Sequence, residues 1–477
     1  MTALDWIFVV IYFAMLALIG VQTSRRVKNM DDFAIAGEKI VWPVMFATLA
    51  ASFLGGGASI GIAGNIANDG YVFLFAFFGF SIQFVLLGYF VAPRLKDYKG
   101  AQTIGDIMEH HYGRKTKLLT GILSICLCAG ILGAQALAIG TIFNMVLNIP
   151  PAAGIIIGMG LVILYSTIGG IWAVIQTDVI QFIVLGILLP VTLLIGLSQT
   201  GGPIGLVEEV PASFFTFFGE WEVIAFVSLF VTFLLGEALV PPYAQRAFCT
   251  KDSNHARKGY LISGIFSFGF YFIAATLGLI AYIVFPGIPS DQALPAIVQN
   301  LLPMGITGLA VAALLAVIMS TADSYLNSTS VSFMRDIYTP FLKPNSRTND
   351  NKLLLLSRIV TLVVGVTAVI FALSAPSIID ALMYAYSLWA PTVVVPLIIA
   401  SVGKVYSKNA GFYAIIVGGI VTSVWIWGLN EPWGIAGLVP GVTANIITFF
   451  VIYIFEKTFP AKNIELAHTS LNEEKEG

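Results

Sequence analysis

The chain has 477 residues, 58% of them hydrophobic and only 10% charged, with a formal net charge of −2 and a mean hydropathy of +0.90. A soluble domain carries about 25% charged residues, so this composition excludes a single soluble core, and no partnership with nucleic acid is expected. Apolar runs near 20 residues match the length a helix needs to cross about 30 Å of hydrocarbon, where a helix satisfies its own backbone. The expected class is an all-α polytopic membrane protein.

In chain order the apolar runs predict about thirteen transmembrane helices, over roughly 4–22, 41–66, 71–93, 117–147, 152–172, 174–198, 223–247, 259–286, 303–335, 352–374, 377–402, 409–428 and 433–456. The first has no basic residue before it and is followed by Arg25 and Arg26. That order is not a cleavable signal, and it sets the N-terminus outside. All 24 Lys and Arg then fall on the expected cytoplasmic side, in clusters at Arg25–Lys39, Arg94–Lys117, Arg246–Lys258, Arg335–Arg358, Lys404–Lys408 and Lys457–Lys475. The outer loops carry acids such as Glu208, Glu220 and Asp291 and no base. An odd number of crossings leaves the C-terminus in the cytoplasm of a multi-pass cell (inner) membrane protein. Residues 1–456 read as one transmembrane transporter domain and 457–477 as a polar cytoplasmic tail. The segment Thr103–Glu109 reads as a short amphipathic cytoplasmic helix. Cys126 and Cys128 read as buried small side chains, and the four histidines are assigned no chemistry.

Helix 2 holds Ala51, Phe53 and Leu54 followed by Gly55-Gly56-Gly57, and each glycine weakens a helix by about 1 kcal/mol. Helix 7 holds Glu237 ahead of Pro241-Pro242 and Tyr243, and proline removes a backbone donor and clashes with the preceding turn. Unwound backbone at membrane depth is tolerated only where it lines a cavity or is buried in protein. The two breaks lie five helices apart, so each opens a five-helix unit, about 41–198 and 223–402. Five is odd, so the units are oppositely oriented, and paired interruptions in inverted halves point to a transporter's central site.

Several motifs in order then carry a resemblance: Asp32-Phe33-Ala34-Ile35-Ala36-Gly37, Ser166-Thr167-Ile168-Gly169-Gly170-Ile171-Trp172, Thr177-Asp178, Gln245-Arg246 and Met319-Ser320-Thr321-Ala322-Asp323-Ser324. With these the chain resembles the sodium:solute symporter family from about residue 1 to 456. The resemblance implies a LeuT-type 5+5 inverted repeat, with one helix before the core and two after it. It implies sodium as coupling ion, no other cofactor or metal, no catalytic residues, a small solute and the bilayer as partners, and no requirement for an oligomer. Residue matching places the shared sodium site on the carbonyls of Ala51, Leu54 and Val317 and the hydroxyls of Ser320 and Thr321. Asp178 matches an aspartate linked in some members to a second cation site, with Ser324 and the unusual Asp323 beside it. Candidate solute contacts are Phe53, Gly55, Gly56, Gly57, Gln135, Glu237 and Tyr243. Phe53 stands where the proline-transporting branch carries an acid. The glycine run resembles that of choline transporters, but Val240 replaces their tryptophan.

Asp178, Glu237 and Asp323 lie deep in the spans, where a charge costs about 2.5–3.5 kcal/mol even on a mild scale. No span offers a deep Lys or Arg by this reading, so the acids are expected to be protonated, hydrated or met by a cation. Asp380 falls near an outer helix end and reads as hydrated. Sodium-coupled uptake of an amine, a zwitterion or another small polar metabolite is the expected function. The alternatives are a proton-coupled carrier on the same fold and a membrane-embedded sensor that binds solute without moving it.

Overall fold

The computed structural model of the chain describes residues 2–25, 27–342, 350–373, 377–403 and 407–459. Among the described residues the elements are helices, joined by one isolated bridge between Ile40 and Thr250. Ten helices are long and apolar enough to cross a membrane, and eleven if the bent pair Trp42–Phe53 and Gly57–Asp69 forms one span. This count falls short of the expected thirteen at two places. Helices 5 and 6 run together as Pro151–Gln199, 49 residues, or about 74 Å at 1.5 Å per residue, over twice the hydrocarbon thickness. The run turns a corner at Gly170 (φ 52°, ψ −154°) instead of opening into a loop. A Cβ there would stand 2.5 Å from the ring of Phe33, on the short helix Met30–Ile35. Helix 7 is divided into Val223–Leu235 and Pro241–Cys249, each too short to span alone.

The helix Ile306–Ser332 is the buried centre of the bundle, packed against helices 1, 2 and 4 and the Pro151–Gln199 run. Helix 1 is fastened to its start by Asp5, whose Oδ1 accepts from the amides of Gly305 (2.8 Å) and Gly308 (2.9 Å). A carboxylate is favoured there by the dipole of the helix N-terminus. The bundle's outer faces carry bare apolar side chains such as Leu194, Ile370 and Ile454, which suit contact with lipid.

The expected amphipathic helix is Ile104–Tyr112, started by a reciprocal cap between Thr103 and Asp106. Asp106 also holds Lys117 (2.8 Å) and Arg335 (3.1 Å). Burial alone would raise its carboxyl, but these two cations hold it below the usual carboxylate value. Cys128 is buried as expected; Cys126 is exposed, because residues two apart diverge around a helix. Asp380 is exposed and caps its own helix with Ser377.

Candidate functional site

Helix 2 ends at Phe53, and Leu54 caps it at φ −80°, ψ 10°. The second half resumes at Gly57 after a bend of 66°. The three glycines are required by close approach. A Cβ on Gly55 would stand 2.6 Å from Thr321 Oγ1 and 2.7 Å from Gln135 Oε1, and one on Gly56 would stand 2.6 Å from Ala138 Cβ. One on Gly57 would strike Leu382. The amide freed by the break at Gly56 donates to Gln135 Oε1 on helix 4 (2.8 Å).

Helix 7 breaks earlier than its prolines. Pro241 and Pro242 occupy the first turn of Pro241–Cys249, where a missing amide costs nothing and the fixed φ suits helix entry. The unwound stretch is Gly236–Val240, with Leu239 buried in the left-handed region at φ 53°, a conformation costing about 1–3 kcal/mol for a non-glycine residue. Trp389 Nε1 donates to the freed carbonyl of Ala238 (2.9 Å). Tyr386, one turn before Trp389, donates to Glu237 Oε1 (2.6 Å), and Tyr243 donates to Glu237 Oε2. Both carboxylate oxygens are thus acceptors, and neither meets a backbone carbonyl.

Opposite the first break, helix 9 offers its hydroxyls. Ser320 Oγ lies 2.8 Å from the Ala51 carbonyl and 2.7 Å from that of Val317. Thr321 Oγ1 lies 3.5 Å from Ala51 O, 2.9 Å from Ser52 O and 3.2 Å from Val317 O. Four of the five expected sodium ligands therefore converge at the C-terminal end of a half-helix, where the dipole favours a cation. Leu54 is buried at the adjacent cap, with no hydrogen bond to helix 9 among the described residues.

Asp178 requires a correction. It is fully buried and paired with Arg246, whose Nη2 lies 2.8 Å from its Oδ2. Arg246 is itself wholly buried, so the expectation that no deep base exists is wrong. The second half of helix 7 is drawn inward behind the break and carries the guanidinium with it. Arg246 also donates to Ser324 Oγ (2.6 Å), Thr48 Oγ1 (3.0 Å) and the Pro242 carbonyl (3.0 Å). Thr48 in turn donates to Asp178. Asp323 has no such cation; it accepts from Tyr165 (2.7 Å) and weakly from Ser324 (3.3 Å).

Between the two breaks lies a contracted cavity of about 20 Å³, room for about one water. Phe53, Gly55, Gly57, Gln135 and Glu237 line it; Gly56 and Tyr243 are outside the lining, bonded to Gln135 and Glu237 respectively. Sequence reasoning missed Phe77, Phe80, Tyr271, Leu382 and Tyr386. Aromatic residues inside apolar helices give no signal of facing a cavity. The lining holds five aromatic rings and one carboxylate, and no Lys, Arg or His.

The family model described as the sodium:solute symporter family matches residues 33–418. The high-affinity proline transporter of Bacillus subtilis is 26% identical, over 92% of this chain and 95% of its own length. The human high affinity choline transporter 1 is 24% identical over 92% of this chain and 76% of its own length. Among solved structures, the substrate-bound outward-open state of a Na+-coupled sialic acid symporter superposes with a TM-score of 0.85. It covers 96% of this chain and 98% of that one at 20% identity, a likeness of fold.

Proposed function

This chain belongs to the sodium:solute symporter family, as a multi-pass membrane transporter and not an enzyme; on that premise we propose that it imports a small amine or zwitterion by alternating access. Sodium is the coupling ion, bound by the carbonyls of Ala51, Leu54 and Val317 and the hydroxyls of Ser320 and Thr321. The observation that carries this reading is the convergence of Ala51 and Val317 carbonyls with the Ser320 and Thr321 hydroxyls at 2.7–3.5 Å. Sodium is a hard cation that takes such oxygens, and broken helices supply carbonyls at the required depth.

Solute binds between the two breaks, against Phe53, Gly55, Gly56, Gly57, Gln135, Glu237 and Tyr243, joined by Tyr271 and Tyr386. A cavity of aromatic faces and one carboxylate favours a positive group and gives an anion no partner. Because the cavity is contracted, helices 2 and 7 must part to admit the solute. Arg246 neutralises Asp178, so of these two neighbouring aspartates Asp323 is the one without a paired cation, and we assign a second cation or a proton to Asp323 with Ser324. The chain crosses the membrane thirteen times, in inverted repeats at about 41–198 and 223–402, with the N-terminus outside and the C-terminus in the cytoplasm.

The test is uptake into proteoliposomes under an inward sodium gradient, with matched amine, zwitterionic and anionic solutes. Amines or zwitterions should accumulate only with sodium, and Glu237→Gln should weaken solute affinity while leaving sodium dependence intact. Uptake persisting when choline replaces sodium overturns the sodium coupling. A sodium-driven substrate without a positive group overturns the role of Glu237.

A further inference from the structure

A groove of about 610 Å³ lies away from the transport site, between the first half of the Pro151–Gln199 run and the helix Asp350–Ala372. Its walls are apolar, built by Ile156, Ile163, Leu164, Leu362, Val366 and Ile370. Gly365 lets Ile163 pack 2.5 Å from where its Cβ would stand. Gly160 is exposed in the groove, and a Cβ there would meet nothing within 4 Å.

One end is different. Arg358 and Thr167 close it, and both Arg358 Nε and Thr167 Oγ1 are shielded from solvent without a hydrogen-bond partner among the described residues. No carboxylate pairs with Arg358 among those residues. From Ile156 to Ile168 the groove follows about 18 Å of helix at 1.5 Å per residue, close to half of the roughly 30 Å hydrocarbon thickness. An apolar trough about as long as one leaflet is thick, ending in a guanidinium with no ion-pair partner among the described residues, has the charge and length of a lipid with an acidic head. Guanidinium groups hold phosphate through two parallel hydrogen bonds, and basic pockets between transmembrane helices bind anionic headgroups.

We propose that this groove binds one anionic phospholipid, its phosphate on Arg358 and Thr167 and one acyl chain laid past Leu164 and Gly160 toward Ile156. The experiment is native mass spectrometry of the full chain in detergent, titrated with phosphatidylglycerol and with phosphatidylcholine of the same acyl chains. Phosphatidylglycerol should bind at least about fivefold more tightly, as expected for one basic residue near a charged headgroup. Arg358→Gln should abolish that preference and Arg358→Lys should keep most of it. Gly160→Leu, whose Cβ would meet no protein atom within 4 Å, adds bulk to the trough and should weaken both lipids alike. Equal binding of the two lipids, an unchanged preference in Arg358→Gln, or indifference to Gly160→Leu overturns the proposal. Should Arg358→Gln not fold, the Lys and Gly160 variants decide it.

Discussion

Arg246→Gln should be among the most damaging single changes in the chain, and Asp178→Asn less so. Removing one partner of a buried ion pair costs about 3–5 kcal/mol, because the other charge stays behind uncompensated. The two survivors are not equally supported. Without Asp178, Arg246 still donates to Pro242 O, Thr48 Oγ1 and Ser324 Oγ, which places Asp178→Asn near the lower end, about 3 kcal/mol. Without Arg246, Asp178 keeps one hydroxyl donor, Thr48, and its Oδ1 has no partner among the described residues. A second carboxylate, Asp323, stands beyond Ser324, so Arg246→Gln belongs near about 5 kcal/mol. The double variant strands neither member of the pair and should recover at least about 2 kcal/mol relative to Arg246→Gln. Unfolding of the detergent-purified proteins, compared side by side at fixed sodium, reads all three. Arg246→Gln within about 1 kcal/mol of the parent, or a double variant as damaged as the sum of the singles, refutes the reasoning.

Thr321→Ala and Ser320→Ala each delete a proposed sodium ligand and should raise the sodium concentration for half-maximal uptake roughly tenfold, with insertion unchanged; no change in either disproves the assignment. Gly55→Ala places a methyl 2.6 Å from Thr321 Oγ1 and 2.7 Å from Gln135 Oε1 and should cost about 1–3 kcal/mol and most uptake, measured against expression. Cysteines at Gly202 and Ser290 should react with an impermeant reagent from outside and one at Asn345, which lies outside the described residues, should not; the reverse pattern rejects the orientation. Asp106, held below its usual value by Arg335 and Lys117 against burial, contributes stability above about pH 4 that is lost as pH falls through its lower folded value. Asp106→Asn should flatten that acid limb in a melting series.

The glycine run and the region of the helix 7 break were legible because lipid leaves unwound backbone few uses. The end point of the second break was not. Pro241-Pro242 reads as a disruption, yet proline disrupts a helix interior and suits a helix start, and only the fold shows which one this is. Arg246 was hidden by the rule that revealed the topology. It sits at the head of a basic cluster, and sequence cannot tell that a broken helix draws it inward to Asp178, 68 positions away. Tyr386 and Trp389 were missed for a related reason: three apart on an apolar helix, they look like core, and their role depends on facing Glu237 and Ala238. Helices 5, 6 and 7 were legible as hydropathy but not as separate long elements, because helices 5 and 6 share a corner and helix 7 is in halves.

That corner at Gly170 has a mechanical consequence. A connection of several residues gives two helices slack; a one-residue corner with the Phe33 ring wedged against it gives none. Residues 151–169 and 171–199 therefore meet directly at Gly170, and Asp178 lies about two turns along the second arm. Through Arg246 the arm holds the second half of helix 7, and through Thr48 it holds helix 2. One carboxylate on the run, Asp178, thus ties it to both broken helices at a single point.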